Sequence, residues 1–188
     1  YSSVTKLVEA TPIFYDLSKE NNWFPDLLDL EKKDLSRVKI MWINYPHMPT
    51  GSSATINQFK DLIDFSKKYK ILLINDNPYS FILNNDFVSL LSIKNAKENC
   101  MELNSLSKAF NLSGWRVGML LGSKENISSV LKVKSNMDSG MFYGIQKGAI
   151  QALNLDNKWF DSLNVTYSKR RVLMWELASI LKLSLIHI

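Results

Sequence analysis

The sequence predicts an α/β fold, a three-layer αβα sandwich built on a mostly parallel sheet. Apolar runs at 38–43 and 71–74 flank a helical pattern at 56–69, and this strand–helix–strand order is the βαβ unit of parallel sheets. Two more apolar runs, 101–106 and 117–121, extend the sheet to four strands. We expect a right-handed crossover in the βαβ unit, because nearly all such units have that hand.

The residues ahead of the first long strand carry shorter signals. Residues 4–8 resemble a helix start, which Pro12 interrupts. The apolar triplet 13–15 predicts a short strand, 16–23 a polar loop and 26–35 a short helix.

The helix of the βαβ unit has a clear start. Thr55 and Gln58 have capping-box spacing, in which each side chain accepts a hydrogen bond from the backbone N–H of the other. The helix is therefore predicted to begin at Ile56, with apolar residues at helical spacing on one face.

Three helical patterns follow the last strand. Ser123 can cap a helix that runs to about residue 134, and Asp-Ser-Gly at 138–140 breaks it. Further helices are predicted at 142–153 and 158–182. The segment 138–143 has two open interpretations, a plain turn between helices or a contact with a second subunit.

The composition is that of an ordinary globular protein. The 188 residues are 46% hydrophobic and 22% charged, which is enough for one sizeable core. No apolar run approaches the roughly 20 residues of a membrane-spanning helix, so no membrane partner is expected. The single cysteine, Cys100, excludes an internal disulfide, fits a reducing cytoplasmic compartment and is predicted to lie in the core.

The net charge of +5 is scattered along the chain. The densest basic cluster, 169–171, shares a helical pattern with Glu176, so we predict a solvated helix face and no nucleic-acid partner. The only histidines are His47 and His187. With so few, neither a Ser-His-Asp triad nor a zinc–histidine site is expected, and no metal is predicted.

Both ends of the chain have unusual features. Residues 183–188 match the in-frame translation of a transposase sequencing adapter, so we expect a non-native tail, with a natural helix end as the alternative. The chain starts at Tyr1 without an initiator methionine. We therefore expect a fragment of a longer protein whose native part stops near Lys182.

Three polar motifs follow predicted strands, at 48–51, 76–79 and 105–108. In open α/β sheets, ligands bind beyond the carboxyl ends of the strands. The third motif begins the stretch 104–118, N-S-L-S-K-A-F-N-L-S-G-W-R-V-G. A lysine that is buried at such a place is costly unless it is paired or forms an imine with an aldehyde, and a nearby arginine suits a phosphate. Pyridoxal 5'-phosphate (PLP) carries both groups.

The stretch 104–118 resembles the lysine signature of the class I/II, fold-type-I PLP aminotransferases, S-x-S-K followed by N-L-x-G-W-R-x-G. The resemblance implies that Lys108 forms a Schiff base with PLP and then moves a proton at the substrate Cα. It also implies that Arg116 binds the phosphate with the hydroxyls of Ser105 and Ser107. Judged alone, Lys108 would be a solvated lysine between two strands.

The D-x-x-Y spacing of Asp76 and Tyr79 also matches this family. The resemblance assigns Asp76 to the pyridine nitrogen and Tyr79 to the phenolic oxygen of PLP, whereas Asp76 alone would be expected to form an Asx-turn. The family's N-P-T-G turn departs at Met48, which replaces the asparagine that hydrogen-bonds the phenolic oxygen. We predict a structural role for the neighbouring His47.

The resemblance implies a domain organisation and a function. Residues 1–155 are expected to form part of a PLP-binding large domain, and 156–182 a helix leading to a small domain outside the chain. The expected function is transfer of an amino group between an amino acid and a 2-oxo acid by a homodimer. The fragment alone is expected to be inactive, because a phosphate loop, a ring-stacking aromatic residue and a carboxylate-binding arginine lie outside it.

Three alternatives remain open on the sequence alone. The chain could belong to another fold-type-I enzyme, a lyase or a decarboxylase. It could also be the PLP-sensing domain of a transcriptional regulator, which a helix-turn-helix in the full gene would reveal. The third alternative is an α/β domain that binds no PLP.

Overall fold

The computed structural model describes residues 1–183 and contains one four-stranded sheet in the order β1-β2-β3-β4. The strands are β1 (Ile40–Ile43), β2 (Leu72–Asp76), β3 (Cys100–Ser105) and β4 (Gly118–Leu121). The first three are parallel and β4 pairs antiparallel with β3. The mostly parallel sheet predicted from the sequence is confirmed.

The described part contains seven helices, of which six follow the predicted order and the fourth was not predicted. They are α1 (Ser2–Leu7), α2 (Leu27–Leu30), α3 (Ile56–Lys68), α4 (Leu106–Ala109), α5 (Lys124–Met137), α6 (Tyr143–Leu153) and α7 (Asn157–Ile180). Short 3-10 turns lie at Leu90–Ser92, Ala96–Glu98 and Ser113–Trp115. None of the helices within residues 1–183 is both long and apolar enough to cross a membrane. The proposed foreign tail falls mainly on residues 184–188, outside the described residues.

The capping box at the start of α3 is present as predicted. The Thr55 hydroxyl accepts a hydrogen bond from the Gln58 N–H (3.2 Å), and the Gln58 side chain accepts one from the Thr55 N–H (2.9 Å). These bonds satisfy two backbone donors that the first turn leaves unpaired. The helix therefore begins at Ile56.

The apolar face of α3 packs on one face of the sheet. The core there consists of buried residues from α3 and the strands, among them Met41, Ile43, Phe59, Leu62, Leu73 and Cys100. Cys100 is fully buried, as expected for a core residue, and burial raises the pKa of its thiol to about 12. The thiol is therefore neutral and poorly reactive in the folded protein.

The opposite face of the sheet carries Trp42, because successive side chains of a strand alternate between faces. The Tyr1 ring stacks on Trp42 with 4.7 Å between ring centroids. Residues 13–15 are irregular, so the strand predicted there is wrong. Instead of adding a strand to the edge of β1, this segment places the Tyr15 hydroxyl on the Trp42 carbonyl at 2.5 Å.

The third strand is shorter than predicted at its carboxyl end. Leu106 was expected to end the strand, but it is the first residue of α4. The reason is Ser105, whose hydroxyl accepts a hydrogen bond from the Ser107 N–H (3.1 Å) and so caps a helical turn.

We predict that Thr55→Ala lowers the free energy of unfolding by about 1 kcal/mol, because the first turn of α3 loses its cap. Thr55→Ser, which keeps the hydroxyl, is the matched control and should lose less than half as much. Urea denaturation of the full-length protein measures both values. Equal losses in the two variants would contradict a capping role for the hydroxyl.

Candidate active site

Three turns at one edge of the sheet form the candidate active site. The turn 44–51 follows β1, the turn 77–80 follows β2, and α4 follows β3. These three strands are parallel, so their carboxyl ends meet at the same edge. This is the shared position that the three polar motifs were predicted to occupy.

Asp76 is the last residue of β2 and is held at two places. Its Oδ2 accepts a hydrogen bond from the Tyr1 hydroxyl (2.6 Å), and its backbone carbonyl accepts one from the Asn44 side-chain amide (2.6 Å). Burial raises the pKa of Tyr1, and the hydrogen bond to Asp76 raises it further. The Tyr1 phenol is thus a donor at neutral pH and fixes the Asp76 carboxylate in place.

Tyr79 lies on the turn after β2 and faces the turn after β1. Its hydroxyl donates a hydrogen bond to Met48 Sδ at 3.3 Å. Burial raises the pKa of Tyr79, and the nearby charge of Asp76 raises it further. Tyr79 therefore stays protonated at neutral pH, which keeps its hydroxyl available as a donor.

Lys108 lies on α4 and meets Tyr79. Its Nζ is 6.0 Å from the centroid of the Tyr79 ring, the outer limit of a cation–π contact. Lys108 is not buried as the sequence predicts, and its side chain is exposed because α4 lies at the open edge of the sheet. Proximity to the D-x-x-Y turn, and not burial, is what distinguishes Lys108 structurally.

Ser105 and Ser107 lie at the start of α4, beside Lys108. Both residues are partly exposed. The Ser105 hydroxyl caps α4 as an acceptor, and a hydroxyl can also donate its own proton. The two hydroxyls thus lie on the same turn as the lysine.

Arg116 lies on the strand-to-strand connection next to α4. The Leu106 N–H donates to the Val117 carbonyl at 3.1 Å, which ties Arg116 to the start of α4. Arg116 has a left-handed backbone (φ 54°), and its exposed guanidinium donates to the Ser113 carbonyl at 2.9 Å. That bond occupies one of five N–H donors of the guanidinium.

His47 shapes the turn after β1. Its Nδ1 lies 2.8 Å from the Thr50 hydroxyl, and its backbone bonds to Ser52 and Gly51. Gly51 has a φ of +73°, a conformation that favours glycine. Burial lowers the pKa of His47, so the ring is neutral at pH 7. These contacts agree with the structural role predicted for His47 and leave the neighbouring Met48 exposed.

The start of α7 holds two elements of the candidate site from behind. The Asn164 amide donates to the Phe81 carbonyl (3.0 Å) and accepts from the Leu83 N–H (2.8 Å), just beyond the turn that carries Tyr79. The Trp159 indole donates to the carbonyl of Ala109, the last residue of α4 (2.9 Å). Helix α7 thus contacts both α4, which carries Lys108, and the segment that follows the D-x-x-Y turn.

Three residues that support the candidate site were not predicted from the sequence: Tyr1, Asn44 and Asn164. Asn44 had a local signal, since it directly follows a predicted strand and opens a polar turn. Tyr1 and Asn164 reach partners 75 or more positions away. No local pattern predicts such pairs.

The sequence of the chain matches a known protein family. The family described as "Aminotransferase class I and II" matches residues 1–185. The chain belongs to this aminotransferase family. The family resemblance stated for 104–118 and for the D-x-x-Y turn is confirmed.

Relatives of this aminotransferase-family chain include two LL-diaminopimelate aminotransferases. That of Aquifex aeolicus is 38% identical over 169 residues, which are 89% of this chain and 44% of the relative. That of Dehalococcoides mccartyi is 39% identical over 173 residues, 91% of this chain and 45% of the relative. This chain therefore spans less than half the length of either.

Solved structures share the fold. Apo-BacF from Bacillus subtilis superimposes with a TM-score of 0.90 at 31% identity, over 95% of this chain and 46% of that one. A probable N-succinyldiaminopimelate aminotransferase from Thermus thermophilus gives a TM-score of 0.88 at 28% identity, over 95% and 48%. The predicted α/β architecture is thus that of aminotransferases.

Proposed function

We propose that the full-length protein is a PLP-dependent aminotransferase, which moves an amino group between an amino acid and a 2-oxo acid. The observation that carries this proposal is the meeting of Lys108 with the Tyr79 ring at the edge that also holds Asp76. Family membership supports the same reaction class. A lyase or decarboxylase would use the same cofactor and remains the second candidate.

The side chains at this edge fit PLP in kind. An amine, a carboxylate, a neutral phenol, two hydroxyls and a guanidinium match the aldehyde, pyridine nitrogen, phenolic oxygen and phosphate of the cofactor. When bound, PLP supplies an aldehyde that takes up amino groups and a ring that accepts electrons from the substrate. The protein supplies binding, orientation and proton transfer.

Lys108 is the proposed catalytic residue. Its amine would hold the cofactor at the aldehyde, and as a free amine it would be the base that takes a proton from the substrate Cα. Its exposure at the sheet edge supports this role, because an incoming amino group must reach it.

Asp76 and Tyr79 are the proposed contacts to the ring of PLP. A carboxylate at the pyridine nitrogen keeps that nitrogen protonated, which allows the ring to accept electrons. The protonated Tyr79 hydroxyl can donate to the phenolic oxygen, and its present partner Met48 Sδ is only a weak acceptor. Met48 has no hydrogen-bond donor in its side chain. Of Tyr79 and Met48, only Tyr79 can therefore donate to the phenolic oxygen of PLP.

Arg116, Ser105 and Ser107 are the proposed phosphate ligands. A guanidinium grips phosphate oxygens through two parallel hydrogen bonds, and the hydroxyls add neutral donors. Phosphate binding by Arg116 requires its bond to the Ser113 carbonyl to leave two donors free, as the guanidinium geometry allows.

A donor screen on the full-length protein tests the proposed function. LL-diaminopimelate is the first amino donor to test, because two relatives are named for it. We expect amino transfer to a 2-oxo acid, and a loss of at least about a hundredfold in kcat for Lys108→Ala, since general acid–base catalysis alone contributes that much.

Lys60→Ala is the matched control, because Lys60 is an exposed lysine of α3 and lies outside the candidate site. It should leave kcat unchanged. Release of ammonia or carbon dioxide in place of amino transfer would favour the lyase or decarboxylase. A fully active Lys108→Ala variant would rule out Lys108 as the catalytic residue.

We predict that Arg116→Lys raises the dissociation constant of PLP about tenfold or more, because one ammonium replaces a bidentate charged contact. Arg37→Lys changes an exposed arginine far along the chain and should leave the constant unchanged. Absorbance titration of the apoprotein with PLP measures both. An unchanged constant for Arg116→Lys removes that residue from the phosphate site.

A further inference from the structure

Buried polar side chains are concentrated beneath the candidate active site. Asn75, Asn77, Ser80 and Glu102 are 0%, 1%, 5% and 3% exposed. Asn75 and Glu102 are direct neighbours across β2 and β3, and the other two belong to the turn that carries Tyr79. Burying polar groups costs free energy even when they are hydrogen-bonded, and apolar residues would serve stability as well. Their grouping at one edge therefore calls for an explanation other than stability.

Glu102 is the centre of this group. One carboxylate oxygen accepts a hydrogen bond from the Asn77 side-chain amide at 3.0 Å. The other accepts from the Leu90 N–H at 2.8 Å and from the Ser89 hydroxyl at 3.2 Å. Three donors thus converge on one buried carboxylate and fix its position.

Asn77 links Glu102 to the turn that carries Tyr79. Its amide nitrogen bonds to Glu102, its amide oxygen accepts from the Ser80 hydroxyl at 2.6 Å, and its backbone N–H donates to the Leu103 carbonyl at 2.8 Å. Asn77 stands between Asp76 and Pro78, so its fixed backbone sets the direction of the turn on both sides.

We propose that Glu102 is a positioning residue which, through Asn77, holds Asp76 and Tyr79 in the arrangement that binds PLP. The inference rests on the proposed function. The directed contacts of a carboxylate and a phenol to one flat ring tolerate only small displacements, and buried hydrogen-bonded residues limit such displacements. The hydrogen bonds among Glu102, Asn77 and Ser80, here called the network, limit displacements of the turn from its core side.

An exchange of donor and acceptor tests the link between Glu102 and Asn77. Asn77→Asp keeps the shape of the side chain but turns the donor 3.0 Å from Glu102 into a second carboxylate oxygen. Adding Glu102→Gln returns a donor to this pair and keeps an acceptor for the Leu90 N–H. The double variant therefore restores every hydrogen bond of the network with the polarity of one bond reversed.

We expect the PLP dissociation constant of the full-length apoprotein to rise about tenfold or more in Asn77→Asp. In the double variant, it should return to within about threefold of the parent. If Asn77→Asp does not fold, Ser80→Ala removes one donor from the same network and should raise the constant about threefold.

Asn99→Ala is the control for lost stability without lost positioning. Asn99 donates a hydrogen bond to the buried Ser66 hydroxyl at 2.6 Å, at the other end of β3. Its melting temperature should fall, as in Asn77→Asp, but its PLP dissociation constant should stay at the parent value. If the PLP dissociation constant rises as much in Asn99→Ala as in Asn77→Asp, general destabilisation explains both rises. That result would overturn the inference.

A double-mutant cycle with Tyr79→Phe shows whether the network acts through the turn. In the parent, Tyr79→Phe should weaken PLP binding about fivefold, the worth of one hydrogen bond. In the Asn77→Asp background, it should cost less than about twofold, because the hydroxyl is already misplaced. Additive losses overturn the inference while leaving the proposed function intact. A parent protein that does not bind PLP overturns the proposed function, and this inference with it.

Discussion

Parallel pairing of β1, β2 and β3 is the constraint on which the candidate site depends. The register sets Ile43 beside Asn75 and Asp76 beside Leu103, so the three strands end close to one another. Each of these strands is followed by a polar turn at the same edge of the sheet. A shift of β2 by one residue would turn Asp76 to the other face of the sheet. Strand register thus brings together the proposed cofactor contacts, which are distant in sequence.

The two faces of the sheet serve different purposes at this edge. On the face of Trp42, Tyr1 stacks on the indole and donates to Asp76, so the proposed ring-binding carboxylate is oriented from the open side. On the face of Met41, the buried carboxylate of Glu102 and the amide of Asn77 hold the same turn from the core. A turn fixed from both faces resists displacement of the proposed PLP contacts.

The sequence predicted what local patterns determine. The capping box of Thr55 gave the start of α3, the apolar runs gave four strands, and the lysine signature gave the family. It failed at two segments. Residues 13–15 are irregular and place the Tyr15 hydroxyl on the carbonyl of Trp42, 27 positions away. Leu106 leaves β3 because the Ser105 hydroxyl caps a helical turn. The hydrogen bond from Tyr1 to Asp76 could not be predicted from a local pattern, because the two residues lie 75 positions apart in the sequence.

Chemical trapping tests whether Lys108 carries the cofactor. The full-length protein is incubated with PLP, reduced with borohydride, digested and analysed by mass spectrometry. We expect one reduced pyridoxyl adduct, on the peptide that contains Lys108, and none in a Lys108→Ala variant. An adduct on another lysine of the native protein, or no adduct at all, would show that Lys108 does not carry PLP.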